Sequence, residues 1–569
     1  MSSTESEKVL ARYLTFGAFF TTIFVISGVV TDPVNVTKHF LLGITAFSSF
    51  GILLFFGVRG AWSHSKKYIC ASTIFILISI FDVFSSKSPL SQNLYGSFGR
   101  NTGFIAYLSL VLISLSALGL QNRISFKNII NALFAAGIVN VLYSLWAWQI
   151  GDFIGWTNPY GTILGTFGNP NFIGAFLGIF VSTLFAYSLQ NRLDWKWRII
   201  NALTIIIGLL EIKHSHAIQG LVVSAAGFTV VGFYYIRYRF KSLILNLSYL
   251  LVAFVGGLFA LLGALQIGPL NSLIYKTSVS LRGEYWNAGI NMANKFPLTG
   301  VGFDSYGDWF RRMRRDSALT LPGPDVVSNA AHNVNIDILS YGGWPLFITY
   351  ALLFAFTLVA ITKIFLREKN YDPIFISMTV AWICYQLQAI ISINQIGLAI
   401  WGWLFSGALI AYESATKNIG KSENIDLINK VKGKKNQKST AVVTPTLVAG
   451  LGALIGALVA VPPLAGDMKW RTALQTTKLD QIEAGLVSGY LNPQNNYRYS
   501  YAIELLEKSK YFDLSYKYAK SALEFNPDNF DTWKVFYYLK NSTQSDKYLA
   551  LSNLKRLDPK NPDVLKIVQ

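Results

Sequence analysis

The chain contains many stretches of about 20 mostly apolar residues, the length that an α-helix needs to cross the hydrocarbon core of a bilayer. Lipid offers no partners to backbone polar groups, so such stretches must form helices, and we expect an all-α polytopic membrane fold. The pattern predicts about thirteen spans, near residues 12–31, 37–57, 68–86, 102–121, 127–149, 171–190, 197–214, 218–236, 244–266, 335–362, 373–391, 396–413 and 443–463.

Composition supports this class. Of the 569 residues, 52% are hydrophobic and 14% are charged, whereas a soluble protein carries about a quarter charged residues. The net charge of +19 is not accompanied by a nucleic-acid-binding motif, so no nucleic-acid partner is expected. Lysine and arginine collect in alternate short loops, which predicts a multi-pass protein of the cell inner (plasma) membrane with a cytoplasmic N-terminus.

Two long segments, 267–334 and 464–569, fall on the external side of this topology. The predicted domains are therefore a membrane domain over 1–463 and an external, or periplasmic, helical domain over 464–569. The membrane domain includes the external loop 267–334 and a basic cytoplasmic linker at 414–442.

The C-terminal segment is charged, rich in tyrosine and helical in period. Pro493, Pro527 and Pro559 follow one another at intervals of 34 and 32 residues. This spacing resembles tetratricopeptide repeats, which stack helical hairpins into a concave binding surface. The alternative is a plain helical bundle. In both cases the expected role is docking of an acceptor or a protein partner.

Ionisable residues are costly near the hydrocarbon, so each is examined for a functional role. The first is Arg100 in "YGSFGRNTGF", which either contacts phosphate or lies at the membrane interface. The second group, in "LLEIKHSHAIQGLVV", includes Lys213, His216 and Gln219 and follows an apolar run too short to cross alone.

The third group lies in the loop 267–334. Arg282 begins a predicted amphipathic helix that Pro297 ends, and four arginines that include Arg311 follow. His332 and Asn333 lie just before the next span, where the alternative role for the histidine is helix capping or packing. Lone Cys70 and Cys384 predict neither a disulfide framework nor a metal site.

Four motifs occur in order, namely "GTFGNPNFIGA" (165–175), "SHAIQG" (215–220), "RGEYWNAG…FPLTGVGFDSY" (282–306) and "HNVNIDILSYGGWP" (332–345). Together they resemble the O-antigen ligase family, which includes O-antigen polymerases and protein O-oligosaccharyltransferases. The resemblance covers about residues 80–410 and implies a C-type membrane glycosyltransferase fold. It also implies transfer of a glycan from polyprenyl pyrophosphate to a glycan, lipid or protein hydroxyl on the outer face.

The resemblance assigns His332 as the base or acceptor-orienting group and Arg282 as the pyrophosphate-binding arginine. A second arginine of the family pattern is missing, because Gln219 and His216 occupy its region in "SHAIQG". Lys213, Arg100 or Arg311 is the candidate for the missing charge, and Asn333 accompanies His332 in the substrate site.

The expected chemistry agrees with these residue types. A guanidinium neutralises a pyrophosphate leaving group, and a neutral imidazole accepts the acceptor's proton near pH 7. A direct attack inverts the anomeric centre. Without an Asp-x-Asp pair or another ligand pattern, the sequence predicts no metal and no cofactor. The alternatives are a polysaccharide polymerase of the same family, or a lipid-linked glycan transporter.

Overall fold

The computed structural model describes residues 3–275, 277–422, 444–476 and 478–566. Most of the predicted basic linker, residues 423–442, therefore lies outside the described residues. Within them the fold is helical, and the β pairing found is one isolated bridge between Gly489 and Asn492.

The helices of the membrane part carry most of the apolar sequence. They are α1 (Ser3–Ile23), α2 (Asn35–Phe56), α3 (Val58–Ser85), α4 (Leu90–Tyr95), α5 (Phe104–Ala117), α6 (Arg123–Gln149), α7 (Pro170–Ser188), α8 (Trp195–His214), α9 (Ile218–Phe240), α10 (Leu243–Ala264), α14 (Val334–Arg367), α15 (Pro373–Ile391), α16 (Ile396–Ser422) and α17 (Pro445–Thr476). A short 3₁₀ helix covers Gly165–Phe167.

The long loop and the tail contain the remaining helices. The loop has α11 (Asn271–Ile274), α12 (Thr277–Lys295), α13 (Tyr306–Met313) and a 3₁₀ helix at Asp316–Leu319. The tail has α18 (Leu479–Leu486), α19 (Asn496–Lys508), α20 (Phe512–Phe525), α21 (Phe530–Tyr538), α22 (Gln544–Leu557) and α23 (Pro562–Lys566).

A helix covers each predicted span, but in the described part of the chain only ten are long and apolar enough to cross a membrane. The helices α1, α5 and α8 fall short. Helix α5 has only 14 residues, and the polar starts of α1 and α8 shorten their apolar runs. The chain is a multi-pass membrane protein, and the count of thirteen spans is not confirmed.

Several helices begin where the sequence supplies a capping side chain. Asn122, Asn169 and Asp372 each accept a hydrogen bond from a backbone N–H in the first turn of the next helix. Such caps satisfy donors that would otherwise lack a partner. After Asn169 and Asp372 a proline opens the helix, where its missing N–H costs nothing.

Helix α17 connects the membrane part to the tail. It packs closely on α2, because a Cβ added to Gly456 would lie 2.4 Å from the carbonyl oxygen of Gly43. Small residues allow two membrane helices this approach. The helix continues to Thr476, past the predicted domain boundary at residue 463 and through Pro462 and Pro463. Trp470 near its end belongs to the hydrophobic core of the tail, so one helix is shared by both domains.

The loops gather at two ends of the helical bundle. We call the first the loop end, which contains the segments 24–34, 86–103, 150–169 and 296–333. The amide of Asn35 donates to the carbonyl of Gly99 over 2.8 Å, and Thr166 donates to the carbonyl of Thr22 over 3.0 Å. The tail also contacts this end, where Ser91 donates to the carbonyl of Gln494.

The opposite end, which we call the basic end, contains loops predicted to be cytoplasmic. Glu7 of α1 accepts from the backbone N–H of Asn122 there. Arg123 forms an ion pair with Asp372 over 2.7 Å, and Arg367 pairs with Glu413 over 3.2 Å. The structure thus separates the arginine-rich short loops from the two long segments, as the charge pattern predicts. The orientation of these ends relative to the cell stays a prediction.

Candidate active site

Arg282 and His332 come together at the loop end although 50 residues separate them in sequence. Arg282 lies near the start of α12. Tyr285, one turn further, places its ring centroid 5.5 Å from that of His332. Burial, and after it the nearby charges of Arg282 and Arg100, lower the pKa of His332 to about 4. The imidazole is therefore neutral at physiological pH.

The guanidinium of Arg282 is half-buried, and burial lowers its pKa. Among the described residues it has no ion pair and no hydrogen bond. A partly desolvated cation without a carboxylate partner can bind an anion with charge-assisted hydrogen bonds. The predicted phosphate-binding side chain thus lies beside the predicted base with its donors available.

The backbone fixes where His332 lies. Its φ of 54° is in the left-handed region, which is rare for a residue with a Cβ and marks a position held by its surroundings. Directly after it, the side chain of Asn333 accepts from the N–H groups of Asn335 and Ile336 and caps α14. Asp337 in the first turn accepts from the N–H of Ala331 over 2.7 Å. His332 lies between these two anchors.

Asn333 was predicted to contact substrate. The structure places it at 7% exposure as the N-cap of α14, with its side-chain oxygen used by the helix. Asn333 follows His332 in the sequence because it caps α14, and the cap fixes the histidine at the start of that helix. The amide nitrogen of Asn333 is the group that remains for a substrate.

Arg100 anchors the segment that precedes His332. It pairs with Asp304, donates to the carbonyl of Asn329 over 2.7 Å, and lies within 3.4 Å of the Tyr341 hydroxyl. Burial by itself would lower the pKa of Arg100, but Asp304, Tyr341 and Asp337 together outweigh this effect and raise the pKa. Its Nη1 and Nη2 donate to protein groups, whereas its buried Nε has no partner. Arg100 therefore links Asp304 to the segment before His332, and its part in substrate binding stays a prediction.

The carboxylate of Asp304 is fully enclosed by the loop that carries Arg100. It accepts from the N–H of Ser97 over 2.7 Å and from the hydroxyl of Thr102 over 3.4 Å. Gly96 leaves room for this contact, because a Cβ there would lie 2.7 Å from the carboxylate. Asp304 therefore holds the segment 96–102 to the long loop, and Arg100 extends this link to the carbonyl of Asn329.

The turn 296–302 fastens the long loop to α14. Helix α14 is broken at Gly342 and Gly343, and Gly343 has a φ of 65°. The break frees backbone groups that the turn uses, since Val301 donates to the carbonyl of Ser340 and Trp344 donates to the carbonyl of Pro297. The predicted end of the helix before Pro297 is confirmed by α12, which ends at Lys295. Its start at Thr277 is five residues earlier than predicted.

The arginine cluster at 311–315 contacts the tail. Arg311 and Arg314 pair with the fully buried carboxylate of Asp558 over 3.2 and 2.7 Å. Arg311 also lies 4.1 Å from the ring centroid of Phe530. Arg312 pairs with Asp528 over 3.2 Å. The predicted substrate residue Arg311 is thus occupied by the tail, and the tail is attached to helix α13 of the loop.

The group around "SHAIQG" forms a separate polar cluster at the junction of α8 and α9. Gln219 is 6% exposed and its amide nitrogen has no partner. His216 has a φ of 57° and lies 6.0 Å from His214, ring to ring. Lys213 is in the last turn of α8. The part of this cluster in substrate binding stays a prediction.

Several residues of this arrangement were not predicted from the sequence. Asp304, Asp337 and Asp558 hold the loop, and Tyr285 lies against His332. The motif "GFDSY" contains Asp304, and its glycines were the available signal. Within the described ranges, no group of three or more His, Cys, Asp or Glu side chains is placed to hold a metal ion.

A comparison with protein families matches the part of the chain that contains this site. Residues 202–351 match the family model described as O-antigen ligase. The match covers about a quarter of the chain and contains both Arg282 and His332. Such a domain implies a membrane glycosyltransferase of the O-antigen ligase or polymerase type that uses lipid-linked glycans. A search of curated proteins finds no match.

Proposed function

We propose that this protein transfers a glycan from polyprenyl pyrophosphate to an acceptor hydroxyl at the loop end of the bundle, on the outer face of the membrane. The observation that carries the proposal is the half-buried, unpaired guanidinium of Arg282 beside the neutral imidazole of His332. The guanidinium suits an anionic leaving group, and the imidazole suits an incoming alcohol.

The proposed reaction is a single displacement. The acceptor oxygen bonds to the anomeric carbon while the bond from that carbon to the pyrophosphate oxygen breaks. The pyrophosphate leaves with the electron pair, and Arg282 stabilises the charge that develops on it. The acceptor proton passes to a ring nitrogen of His332. Attack from the face opposite the leaving group inverts the anomeric centre, and the step requires no metal.

The depressed pKa of His332 has a consequence for this step. An imidazole with a pKa of about 4 is neutral but weakly basic. When the pyrophosphate binds, its negative charges offset those of Arg282 and Arg100, and the pKa of His332 rises toward the working pH. A general base is most effective when its pKa lies near the working pH, and it then raises the rate by about 100–10,000-fold. Donor binding therefore prepares the base.

The tail is proposed to dock the acceptor or a protein partner beside this site. Its helices form hairpins, α19 on α20 and α21 on α22, that begin at the caps Asn495 and Asn529, 34 residues apart. This supports the tetratricopeptide-like prediction. Removing the tail is a poor test, because Arg311 and Arg314 would lose their buried partner Asp558. Single substitutions on the exposed hairpin surface, such as Tyr548→Ala, test docking without that damage.

The experiment that tests the function is incubation of the purified protein with radiolabelled lipid-pyrophosphate glycan and separate acceptors, with and without chelator. The proposal predicts label on an acceptor in both conditions. Label on a second lipid-linked glycan identifies a polymerase, and label on a separate glycan, lipid or protein identifies a ligase or oligosaccharyltransferase. Movement of intact donor across vesicles without transfer identifies a transporter and contradicts the proposal.

A further inference from the structure

A cavity of about 480 Å³ opens at the loop end and does not contain Arg282 or His332. It lies between the segment 27–35, the segment 155–172 and the start of the tail at Arg471. Its size falls within the range of about 300–1,000 Å³ typical of small-molecule sites. The proposed chemistry does not use it, although the motif at 165–175 supplies Phe167, Gly168, Asn169 and Phe172 to its wall.

The lining of this cavity is polar but close to neutral. Its charged lining residues are one acid, Asp32, and one base, Arg471. Hydroxyl and amide side chains supply most of the other polar groups, and aromatic rings also line the cavity; they include Thr31, Asn35, Asn169, Trp156 and Phe172. One cation beside one carboxylate gives no net attraction for phosphate, and a mainly polar wall does not suit an acyl chain.

Asp32 gives the cavity an unused acceptor. The residue is 7% exposed, and its Oδ1 accepts from the N–H groups of Val34 and Asn35 over 3.0 Å. Its Oδ2 is buried and has no hydrogen-bond partner. A buried carboxylate oxygen without a donor is costly, and a ligand that brings hydroxyl groups would satisfy it. Trp156 is held for stacking by the hydrogen bond of its Nε1 to Asp152.

The cavity is connected to the candidate active site through two hydrogen bonds. Asn35 in its wall donates to the carbonyl of Gly99 over 2.8 Å. The next residue, Arg100, donates to the carbonyl of Asn329, three residues before His332. A chain of sugars that reacts at His332 therefore has a polar recess beside it at the same end of the bundle.

We propose that this cavity is a saccharide subsite that holds sugar units of the glycan away from the reacting bond. Sugars present hydroxyl donors for Asp32 and the amides, and apolar C–H faces for Trp156 and Phe172. The inference rests on the proposed function for its substrate class. Donor and acceptor glycans share this chemistry, so the test includes both sources.

The test fills the cavity and measures binding of free sugar chains. At Gly155 a new Cβ would meet nothing closer than Ser27 Oγ at 3.8 Å, so Gly155→Leu fits and extends into the space. Gly155→Ala is the matched control, because it changes the backbone equally and leaves the volume. Ser27→Leu, at a neighbouring position of the cavity wall, serves as a second variant if Gly155→Leu does not fold.

The probes are the oligosaccharide hydrolysed from the host's polyprenyl pyrophosphate glycan and, separately, an oligosaccharide from the acceptor. Binding to the full-length protein in detergent is measured by saturation-transfer NMR and calorimetry. We expect Gly155→Leu and Asp32→Asn to weaken binding of one probe by at least about tenfold. Gly155→Ala should bind it within about twofold of the unchanged protein.

The probe that responds identifies the source of the sugar. Equal binding of both probes to Gly155→Leu and to the unchanged protein overturns the subsite, as does the absence of binding of either probe to the unchanged protein. Transfer from the intact lipid-linked donor is measured in the same preparation. Glycan transfer by a protein that binds neither oligosaccharide contradicts the subsite alone. Oligosaccharide binding by a protein that transfers no glycan contradicts the proposed function.

Discussion

The charge of Arg282 lowers the pKa of His332, which places the guanidinium and the imidazole within electrostatic reach of each other at one end of a membrane bundle. Most other arginines of this region are paired, with Asp304, Asp528 or Asp558. Arg282 is half-buried and has no such partner among the described residues. A site with a free cation and a neutral base suits a reaction that releases an anion and takes up a proton.

The first prediction concerns pH. His332 has a pKa of about 4 in the free protein, so its base form is present above that value and is lost as pH falls through it. We expect kcat/KM, which reports the free protein, to stay level down to about pH 5 and fall below it. The kcat profile should fall at higher pH, because bound pyrophosphate raises the pKa of His332. Initial rates measured across pH give both profiles. If kcat and kcat/KM fall at the same pH, bound pyrophosphate does not raise the pKa of His332.

The second prediction separates bracing from phosphate binding at Arg100. Arg100→Lys loses the fork that joins Asp304 to the carbonyl of Asn329, since an ammonium cannot reproduce that geometry. We expect kcat to fall about 10–100-fold, with donor affinity unchanged within about twofold. Arg315→Lys, at an exposed position of the loop 267–334, is the control. A rise in donor Kd with an unchanged kcat would instead assign Arg100 to the substrate.

The third prediction concerns the tail. Asp558→Ala leaves two buried guanidinium groups without their carboxylate, a change that costs about 3–5 kcal/mol for a buried pair. We expect the tail to become accessible to protease and the transfer rate to fall, because α13 connects Asp558 to α12 through the Tyr306 hydroxyl and the Tyr285 carbonyl. The control is Asp563→Ala, which removes an exposed partner of Lys566. Equal proteolysis of the two variants would show that the ion pairs do not attach the tail.

The sequence was sufficient for the helical class and for the separation of loops, because apolar length and loop charge are local properties. Helices overlap all thirteen predicted segments, but in the described residues ten are long and apolar enough to span, so the count of thirteen is not confirmed. Helix α5 is short, and the polar starts of α1 and α8 shorten their apolar runs. Arg282 and His332 were found through ordered motifs, each with an expected role that still awaits a test.

The partners of the arginines could not be predicted from the sequence. Asp304 lies 204 residues from Arg100, and Asp558 lies 247 residues from Arg311. The arginine cluster at 311–315 and the acidic residues Asp528 and Asp558 become neighbours only when the tail packs against the loop. For the same reason, the sequence predicts Arg100 and Arg311 as substrate residues without showing that Nη1 and Nη2 of each donate to protein groups. Their part in substrate binding stays a prediction.

The most direct measurement of the central claim compares Arg282→Ala with His332→Ala in paired assays of donor binding and glycan transfer. Arg282→Ala should lose affinity for the lipid-pyrophosphate glycan, whereas His332→Ala should bind the donor normally and lose about 100–10,000-fold in transfer. Arg315→Ala controls for the loss of a loop charge. If both variants bind donor and transfer glycan like the unchanged protein, the two side chains do not form the active site.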